Sequence, residues 1–532
     1  MADAAAPASK DPVYRRREKA LEQRRRWDPL LDEAYRYAVP QYPSPMISAP
    51  RDKDATRGEK RGSKIYDSTA AVAIDERAAM TVGALFPAGS RWLLPDPDIE
   101  VKELAQYANH AFETCQRAFD DSNFDTEIYL SMRDAYVSTG GITLHKGTRE
   151  QPFRFEAIPV GSMVPEEAPD QVIRTNFRNR KVEVAQIPVL WPGAKLPRDY
   201  EAKVTSSPME EVDLCEGDVF DPLRNSTYYG VWIEAGWKRI VWHEHQVGRN
   251  IIFRTDKAPD ETMGRGSVIS VLADIRTADK IVELILKNAS IAVTGMWQAD
   301  DDGVLNPATI KLQPGIIIPK AQDSKGLQPL TSGMDFNVSD LVLGDLRERI
   351  RRAIKGPDLP PADEGVRTAF EIGERRADQD AVEWPRLQRV QRELYVPLLR
   401  RALWVLMDPS FPGSDYEIKP FEGMSRIETV DMLLRALETP SDRLKKENDA
   451  RIGYSAVGAA VSVFGEAATS PQVLKAADFI RDFYADAGVK PEYIPDEEEQ
   501  RQAAEAEQQQ QQQAQALEIA REAMNSGAAG NA

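Results

Sequence analysis

The sequence predicts an α+β fold that is predominantly helical. Several long segments carry apolar residues three or four positions apart, a spacing that places them on one face of a helix. One segment, YYGVWIEAGWKRIVWHEH at residues 228–245, instead has β-branched and aromatic residues on both sides of Ala235 and Gly236, which is typical of a β-hairpin. The hydrophobic content of 42% is that of a globular protein with a buried core.

The N-terminal half is expected to mix helices and strands. Residues 15–38 are a predicted helix that Pro40 ends, and further helices are expected over residues 63–87, 101–119 and 125–138. GRNIIFR, at residues 248–254, is a predicted third strand, whereas residues 188–222 show no pattern that we can interpret. The arginines of the first helix are expected to form a solvated or subunit-facing surface, with a phosphate contact as the alternative: Arg15, Arg16, Arg17, Arg24, Arg25 and Arg26.

Two helices separated by a Pro-rich excursion follow. Residues 267–293 are predicted to form a helix that packs on another helix, because its apolar residues follow a 4-3-4-3-4 spacing: Val271, Ile275, Ala278, Val282, Ile285 and Ala289. The second helix is expected to have Ser339 as its N-cap, to end at Gly356 and to carry an apolar stripe: Val342, Leu346, Arg349 or Ile350, and Ala353. The excursion between them, QADDDGVLNPATIKLQPGIIIPK, carries three prolines and favours edge strands over helix.

The C-terminal part is predicted to be mainly helical. Residues 356–366 hold three prolines and two glycines and are a predicted loop. A capping box at residues 368–371 then opens a helix that reaches Met407, with kinks expected at Pro385 and Pro397. Residues 416–421 are a candidate strand, and helix resumes after Ser425. The Gln- and Ala-rich tail from residue 496 is expected to be helical in an assembly and disordered outside one.

Charge, hydropathy and cysteine content exclude several classes of protein. The 85 acidic residues exceed the 68 lysines and arginines, and the formal net charge of −17 disfavours a tight, sequence-reading nucleic-acid binder. The start of the chain has no apolar signal region, and no stretch approaches the roughly 18 apolar residues of a membrane span. Cys115 and Cys215 imply no disulfide framework and fit an intracellular origin.

Motifs for catalysis are missing or incomplete. The nearest approach to a P-loop, residues 58–64 (GEKRGSK), has the wrong spacing and follows no strand, and no G-x-S-x-G motif occurs. His243 and His245 form a polar strand face more readily than a metal site. Asp300, Asp301 and Asp302 are expected to form a solvated turn or an acidic docking surface, with a cation site as the alternative. We therefore expect no catalytic residue, no metal and no cofactor.

The order of helix, excursion, helix, Pro/Gly loop and long kinked helix resembles the portal proteins, or head-to-tail connectors, of short-tailed bacteriophages. KIYDSTAAVAIDERAAMTVGALFPAGSRW is similar to the N-terminal helix of that family, and GRGSVISVLADIRTADKIVELILKNASIAV is similar to its first stem helix. DGVLNPATIKLQPGIIIP resembles its clip. RTAFEIGERRADQDAVEWPRLQRVQRELYVPLLRRAL resembles its long helix after the tunnel loop. The resemblance covers residues 15–495.

The resemblance implies a portal fold of wing, stem, clip and crown that assembles into a ring with a central channel. DNA would enter the capsid through this channel during packaging and leave through it during infection. The implied parts are an N-terminal wing at 1–266, a first stem helix at 267–293, a clip at 294–335, a second stem helix at 336–355, a tunnel loop at 356–367, a long kinked helix and wing return at 368–424, a helical crown at 425–495 and a tail at 496–532.

The partners implied by the resemblance are those of a virion component at the portal vertex, assembled in the host cytoplasm. They are eleven further copies of the chain, double-stranded DNA bound non-specifically, the terminase large subunit, the major capsid and scaffolding proteins, tail adaptor or nozzle proteins, and internal core proteins. No membrane is implied. The alternative is a capsid scaffold or adaptor that oligomerises without threading DNA, and a metal-dependent enzyme using the three aspartates at 300–302 is a third, minor hypothesis.

The resemblance also places candidate functional residues. Those expected to line the DNA channel are Arg347, Arg349, Arg351, Arg352, Lys355, Asp358, Leu359, Pro360, Asp363 and Glu364. Those expected at the clip docking surface are Trp297, Asp300, Asp301, Asp302, Asn306, Ile310, Ile316 and Ile318. Salt bridges with Glu348, Asp345 or a neighbouring subunit are the alternative role of the cations, and core packing is the alternative role of Trp297.

Overall fold

The computed structural model describes residues 11–42, 65–96, 99, 101–294, 297–298, 328–329, 336–356, 384–409, 413–443 and 445–446, together with residues 453 and 457. The chain divides into two compact units, one of residues 1–366 and 378–438 and one of residues 367–377 and 439–532. In the second unit, the Oδ2 atom of Asp442 accepts hydrogen bonds from the backbone N–H and the hydroxyl of Thr439. All elements named below belong to the first unit.

The N-terminal segment forms two helices where one was predicted. Helix α1 (Pro12–Arg25) begins three residues earlier than expected, with Asp11 accepting a hydrogen bond from the backbone N–H of Val13. Helix α2 (Asp28–Ala38) follows after a break at residues 26–27. Pro29 explains the break, because it has no backbone N–H to donate to the carbonyl oxygen of Arg25 and its ring would clash with that carbonyl in a continuous helix.

The sequence predicted that the α1 arginines form one solvated or subunit-facing surface. The structure shows that only half of them are exposed. Arg17 and Arg24 are buried. The guanidinium of Arg17 donates to Glu234 Oε1 at 2.6 Å, and that of Arg24 donates to Asp28 Oδ1 at 2.7 Å. Arg16 pairs with Glu166, leaving Arg15, Arg25 and Arg26 as the exposed members. Half of the basic cluster thus fastens α1 to the rest of the chain.

Three long helices, two short helices and eight strands are described in the rest of the N-terminal half. The helices α3 (Thr69–Leu85), α4 (Lys102–Asp120) and α5 (Phe124–Val137) confirm the three helical predictions, although α3 starts six residues later than expected. The strands are β1 (Thr139–Lys146), β2 (Phe153–Ala157), β3 (Met163–Glu167), β4 (Ile173–Glu183), β5 (Glu211–Asp221), β6 (Ser226–Ile233), β7 (Lys238–His245) and β8 (Asn250–Arg254). The short helices α6 (Ile187–Leu190) and α7 (Arg198–Ser206) lie between β4 and β5.

The strands form two antiparallel sheets, one with the order β2-β1-β8 and one with the order β3-β4-β5-β6-β7. The predicted hairpin is confirmed as β6 and β7, whose turn places Gly236 at φ 79° and Trp237 at φ 50°. Strand β8 exists as predicted but pairs with β1 in the other sheet. The five-stranded sheet packs on α1 through one face and on the α6–α7 region through the other.

The two helices around the excursion are present. Residues 267–293 form α8 (Ser267–Ser270) and α9 (Leu272–Thr294), with a break at Val271. Helix α10 (Phe336–Lys355) starts three residues before Ser339, so the predicted N-cap was wrong. Its buried stripe is Leu343, Leu346, Ile350 and Ile354, one position later than expected at two places, and Val342 is exposed.

Two short strands mark the ends of the excursion. Strand β9 (Trp297–Gln298) pairs antiparallel with β10 (Gln328–Pro329), so that Trp297 lies opposite Pro329 and Gln298 opposite Gln328. The two ends of residues 299–327 therefore meet at one place, and we call this two-stranded pair the neck.

The long C-terminal helix is described from residue 384 onward. Residues 384–390 are α-helical, Gln391–Tyr395 form a π-helical turn, and α11 (Val396–Leu406) completes the helix. The π turn ends two residues before Pro397. Proline has no backbone N–H, and its ring clashes with a carbonyl of the preceding turn in a regular α-helix, so the π turn accommodates it. Residues 416–421 form no strand, contrary to the prediction.

Helix α12 (Arg426–Arg435) starts at the predicted place, with a capping box between Ser425 and Glu428. Val430 and Leu433 of α12 are buried in the same apolar core as α4, α5 and α11. This core is the largest of the molecule's clusters and contains a row of packed aromatic rings: Phe86, Trp92, Phe119, Phe124, Phe155 and Tyr395.

Candidate functional site: the bundle of α3, α9 and α10

Helices α3, α9 and α10 pack into a bundle whose centre is apolar. Residues of all three helices, together with residues of α2 and α8, belong to one buried cluster. The members from the bundle are Ala70, Ala73 and Ile74 of α3, Leu272, Ile275 and Ala278 of α9, and Leu343, Leu346, Ile350 and Ile354 of α10. The predicted packing of α9 on another helix is therefore confirmed, and α10 is a partner.

A polar latch joins the start of α3 to both other helices. Asp279 of α9 accepts hydrogen bonds through Oδ1 from the backbone N–H groups of Tyr66 (2.6 Å) and Asp67 (3.0 Å). The carboxylate of Asp67, 5% exposed, accepts from the backbone N–H of Thr69 at 2.9 Å and from Arg347 Nε at 2.8 Å. Burial alone would raise the pKa of Asp67, but the hydrogen bonds from Thr69 and Arg347 outweigh it and hold that pKa below its usual value.

A second latch holds the end of α10 against α3. Arg77 of α3 donates from Nη1 to the carbonyl oxygen of Lys355 at 2.8 Å and thus satisfies one of the free carbonyls at the helix end. The Lys355 ammonium lies 3.2 Å from Glu76 Oε2. Gly356 ends the helix as predicted, at φ 96°, a left-handed conformation that glycine adopts without strain.

Four of the five cations predicted to face DNA have acidic partners within the chain. Arg347 pairs with Asp67, Arg349 with Asp274, Arg352 with Glu348, and Lys355 with Glu76. The fifth, Arg351, is exposed and forms no ion pair with any described residue. The ion pair of Arg347 is half-buried, whereas Arg352 and Glu348 are each 67% exposed and contribute little to stability.

The outer face of α9 alternates charge and apolar surface. Glu283 accepts hydrogen bonds from Lys280 Nζ at 2.7 Å and from Lys287 Nζ at 2.5 Å, and these bonds lower the pKa of Glu283 to about 2. Leu284 and Leu286 beside it are 49% and 51% exposed. A single chain therefore leaves large leucine side chains in solvent on this helix.

The other predicted site residues are described only in part. Trp297 lies in the neck, opposite Pro329. The following predicted residues of the tunnel loop and the clip lie outside the described residues: Asp358, Leu359, Pro360, Asp363, Glu364, Asp300, Asp301, Asp302, Asn306, Ile310, Ile316 and Ile318.

The sequence analysis missed the residues that make the latches. Asp67, Arg77 and Asp279 were not singled out, although the Asp67-Ser68-Thr69 run just before an Ala-rich stretch is a recognisable helix-start signal. No local signal points to Asp279, because its partners at residues 66 and 67 lie more than 200 positions away in the sequence.

The described residues form neither a metal-binding cluster nor a membrane-spanning helix. Within the described ranges, no three His, Cys, Asp or Glu side chains group together in a way that could hold a metal ion. His243 lies opposite Tyr229 in the five-stranded sheet, and His245 opposite Thr227. None of the described helices has both the length and the apolar character needed to cross a bilayer.

A comparison with known protein families gives a match. The family model described as "Bacteriophage head to tail connecting protein" matches residues 10–443, about four fifths of the chain. The matched region begins beside α1 and includes both sheets, the bundle, the neck and α12. No curated protein matches the chain.

Proposed function

This chain belongs to the bacteriophage head to tail connecting proteins, and from that premise we propose that copies of it form a ring-shaped portal through which DNA passes. A connector of this family is a virion component at the junction of capsid and tail, where it associates with capsid and tail proteins. The twelve-fold ring, DNA packaging and ejection, and docking of the terminase motor are the further parts of the proposal. The chain would act as a conduit without catalysis.

The proposal that copies of the chain assemble into a ring rests on exposed apolar side chains of the bundle. Of the eleven large hydrophobic side chains exposed in the described part of the chain, six lie on or directly before the bundle helices: Tyr66, Val72, Met80, Leu284, Leu286 and Val342. Such concentrations of apolar surface are typical of interfaces. In a closed ring each copy presents the same two surfaces to its neighbours, so these side chains would be covered between adjacent bundles.

The charge distribution suits a channel that DNA passes without sticking. The net charge of −17 opposes tight binding of phosphates. Intrachain ion pairs neutralise four of the five cations of α10, which leaves Arg351 as the strongest candidate for a transient phosphate contact. We assign the tunnel loop at residues 356–367 to the constriction.

The neck supports the assignment of residues 299–327 to a docking element. Because both ends of this segment meet at β9 and β10, it leaves the bundle and returns to it at one place. We propose that it forms the clip, where the terminase motor binds first and the tail adaptor later. Energy for DNA movement would then come from the motor, since the sequence contains no nucleotide-binding loop.

Substitution of the exposed leucines tests ring assembly. We expect the double variant Leu284→Asp, Leu286→Asp to shift the purified protein from rings to monomers, because each aspartate would have to lose its water at the interface. The matched control is Leu223→Asp, at a side chain that is 95% exposed in the turn between β5 and β6. Mass photometry measures the subunit number. Rings of unchanged mass for the double variant would overturn the assigned interface.

The capsid scaffold or adaptor is the second candidate function, and imaging separates it from the portal. A portal viewed along its axis shows a central hole wide enough for duplex DNA, about 20 Å across. An oligomer with a closed centre would contradict the channel and favour the adaptor.

A further inference from the structure

A basic cavity lies in the first unit, away from the bundle. Its volume is about 450 Å³, within the usual range for ligand sites. It is formed where the end of β1, the start of β2, the β7–β8 connection, α6, α11 and the start of α12 meet, and its lining residues are His145, Lys146, Arg154, Leu190, Arg249, Arg401, Trp404, Val405, Asp408 and Arg426. Five of these are cations and one is a carboxylate.

Arg401 is the residue that most needs a ligand. Its side chain is 5% exposed, yet it makes a single hydrogen bond with the described residues, from Nη1 to the carbonyl oxygen of Val247 at 3.2 Å. Its Nε is buried without an acceptor among the described residues, as are those of Arg249 and Arg426. A buried guanidinium with unused donors is costly, and nearby cations add repulsion.

Few carboxylates offset this charge. Asp218 accepts through Oδ2 from the backbone N–H groups of Arg249 and Asn250, at 2.8 and 2.7 Å, and its buried Oδ1 has no hydrogen-bond partner among the described residues, so its charge offsets that of Arg249 and Arg401 only in part. Asp408 lies 3.1 Å from Lys146 Nζ and 3.7 Å from Arg426 Nη2. Glu156 accepts from Arg178 and hydrogen-bonds to His145. Positive charge in the cavity therefore exceeds the negative charge available to it.

We propose that this cavity binds a phosphate-class oxyanion, with Arg401 and Arg249 at its floor and Arg426, Lys146 and Arg154 around it. Guanidinium groups match tetrahedral oxyanions through paired N–H donors, and a dianion answers the charge excess better than a single carboxylate does. The Arg426 guanidinium lies over the Trp404 indole, 3.7 Å from the ring centroid. The Arg249 guanidinium lies over the Tyr229 ring, 3.5 Å from its centroid. Each of these rings therefore already has a cation on one face, and the excess of guanidinium donors makes the anion itself the group that we expect the cavity to recognise.

Thermal unfolding of the full chain tests the proposal. We expect orthophosphate to raise the Tm of the wild-type protein by about 2 °C or more over chloride at equal ionic strength, because a ligand that binds only the folded state stabilises it. Arg401→Met should lose that shift. The matched control, Arg352→Met at an exposed, paired site on α10, should keep it.

A folding control, a DNA duplex and an oligoglutamate peptide complete the test. Circular dichroism establishes that Arg401→Met is folded, and Arg426→Met at the cavity wall repeats the measurement if it is not. A short DNA duplex at equal phosphate concentration identifies the source: stabilisation that depends on Arg401 assigns the site to backbone phosphate, and stabilisation by orthophosphate alone assigns it to the free ion. No phosphate-specific shift in the wild type, an equal shift in Arg401→Met, or a shift with an oligoglutamate peptide alone would overturn the proposal.

Discussion

Asp134 on α5 shows how a single buried group makes stability depend on pH. Its side chain is 3% exposed, and its Oδ1 accepts a hydrogen bond from the Tyr35 hydroxyl at 2.8 Å. Burial raises the pKa of Asp134 to about 7, although the Tyr35 hydrogen bond and Arg133 act in the opposite direction. In the unfolded chain the same carboxyl would titrate near 3.9.

The sign of the pH effect follows from that pKa difference. Between about pH 4 and pH 7 the folded protein keeps a proton that the unfolded chain has released, so stability falls as pH rises through this window. We predict that Asp134→Asn, which keeps an acceptor for Tyr35 and removes the charge, is roughly 2–4 kcal/mol more stable than wild type at pH 8 and about equal to it at pH 4. Urea unfolding at the two pH values measures this.

Asp199→Asn serves as the control for that prediction. Its side chain is 75% exposed and pairs with Lys238 at the surface. We expect no more than a small change at either pH. A gain of equal size at pH 4 and pH 8 for Asp134→Asn would contradict a titrating carboxyl at this position.

Single residues also mark where sequence-based prediction stops. The basic run of α1 was predicted to be solvated, yet Arg17 is buried because Glu234, 217 positions later, supplies its counter-charge. Arg254 of β8 is fully buried and donates to both carboxylate oxygens of Glu393 in the π turn, at 3.0 and 2.7 Å. The residues next to an arginine give no information about a partner so distant in the sequence. Only the fold brings the two charges together.

At the scale of elements, the side chain of Asp67 joins the start of α3 to α10. Asp67→Ala would remove the acceptor for the Thr69 N–H at the start of α3 and leave Arg347 without its buried partner. We predict a loss of roughly 2–4 kcal/mol in the free energy of unfolding, from the lost hydrogen bond to the Thr69 N–H and the broken half-buried ion pair together. Urea denaturation followed by circular dichroism measures the loss.

Glu348→Ala is the matched control on the same bundle. It removes the partner of Arg352 from an exposed i,i+4 pair and should cost only about 0.3–0.5 kcal/mol. Equal losses for the two variants would show that Asp67 does not join the helices in the way its contacts indicate.

Helices were predicted better than strands, and the reason is physical. The helices were predicted from the local spacing of their apolar residues. The bounds of α4 and α5 agree with the predicted bounds within one residue. Strands β4 and β5 contain buried charged residues, Arg178, Glu216 and Asp218, which hide the alternation of apolar and polar side chains. Arg178 is tolerated inside because Glu156 and Glu216 of other strands neutralise it. Glycines and a histidine obscure β1 in the same way.

The bundle was located from sequence, but only one of its ion pairs was. The 4-3-4-3-4 spacing predicted that α9 packs on another helix, and α10 was expected from sequence with its N-cap at Ser339, three residues after the observed start. Glu348, the partner of Arg352, lies on α10 and was named as an alternative, whereas the other three acidic partners come from α3, from α9 and from the residues before α3, so their identities depended on how separate helices are arranged.

At the scale of the whole molecule, the proposed portal depends on a loop at the narrowest part of its channel. We predict that deleting residues 359–363 leaves ring assembly intact, because the exposed bundle side chains proposed to hold the ring lie on other segments. DNA packaging or retention should fall, since the shortened loop can no longer reach the duplex. Imaging of the purified protein measures ring assembly, and packaging assays measure the effect on DNA.

Two results would contradict this prediction. Normal packaging and retention by the deletion variant would remove the loop from the proposed constriction. Failure of the variant to form rings would instead show that residues 359–363 contribute to contacts between copies.

The neck has a consequence for how the chain tolerates change. Because Trp297 and Gln298 pair with Pro329 and Gln328, the two points at which residues 299–327 join the described chain lie side by side. Lengthening a segment between two such fixed points costs free energy only with the logarithm of its length, about 0.6 kcal/mol for each doubling. A foreign segment of different size could therefore be exchanged at these junctions while α9 and α10 keep their alignment, which would let one scaffold acquire new binding partners in a single step.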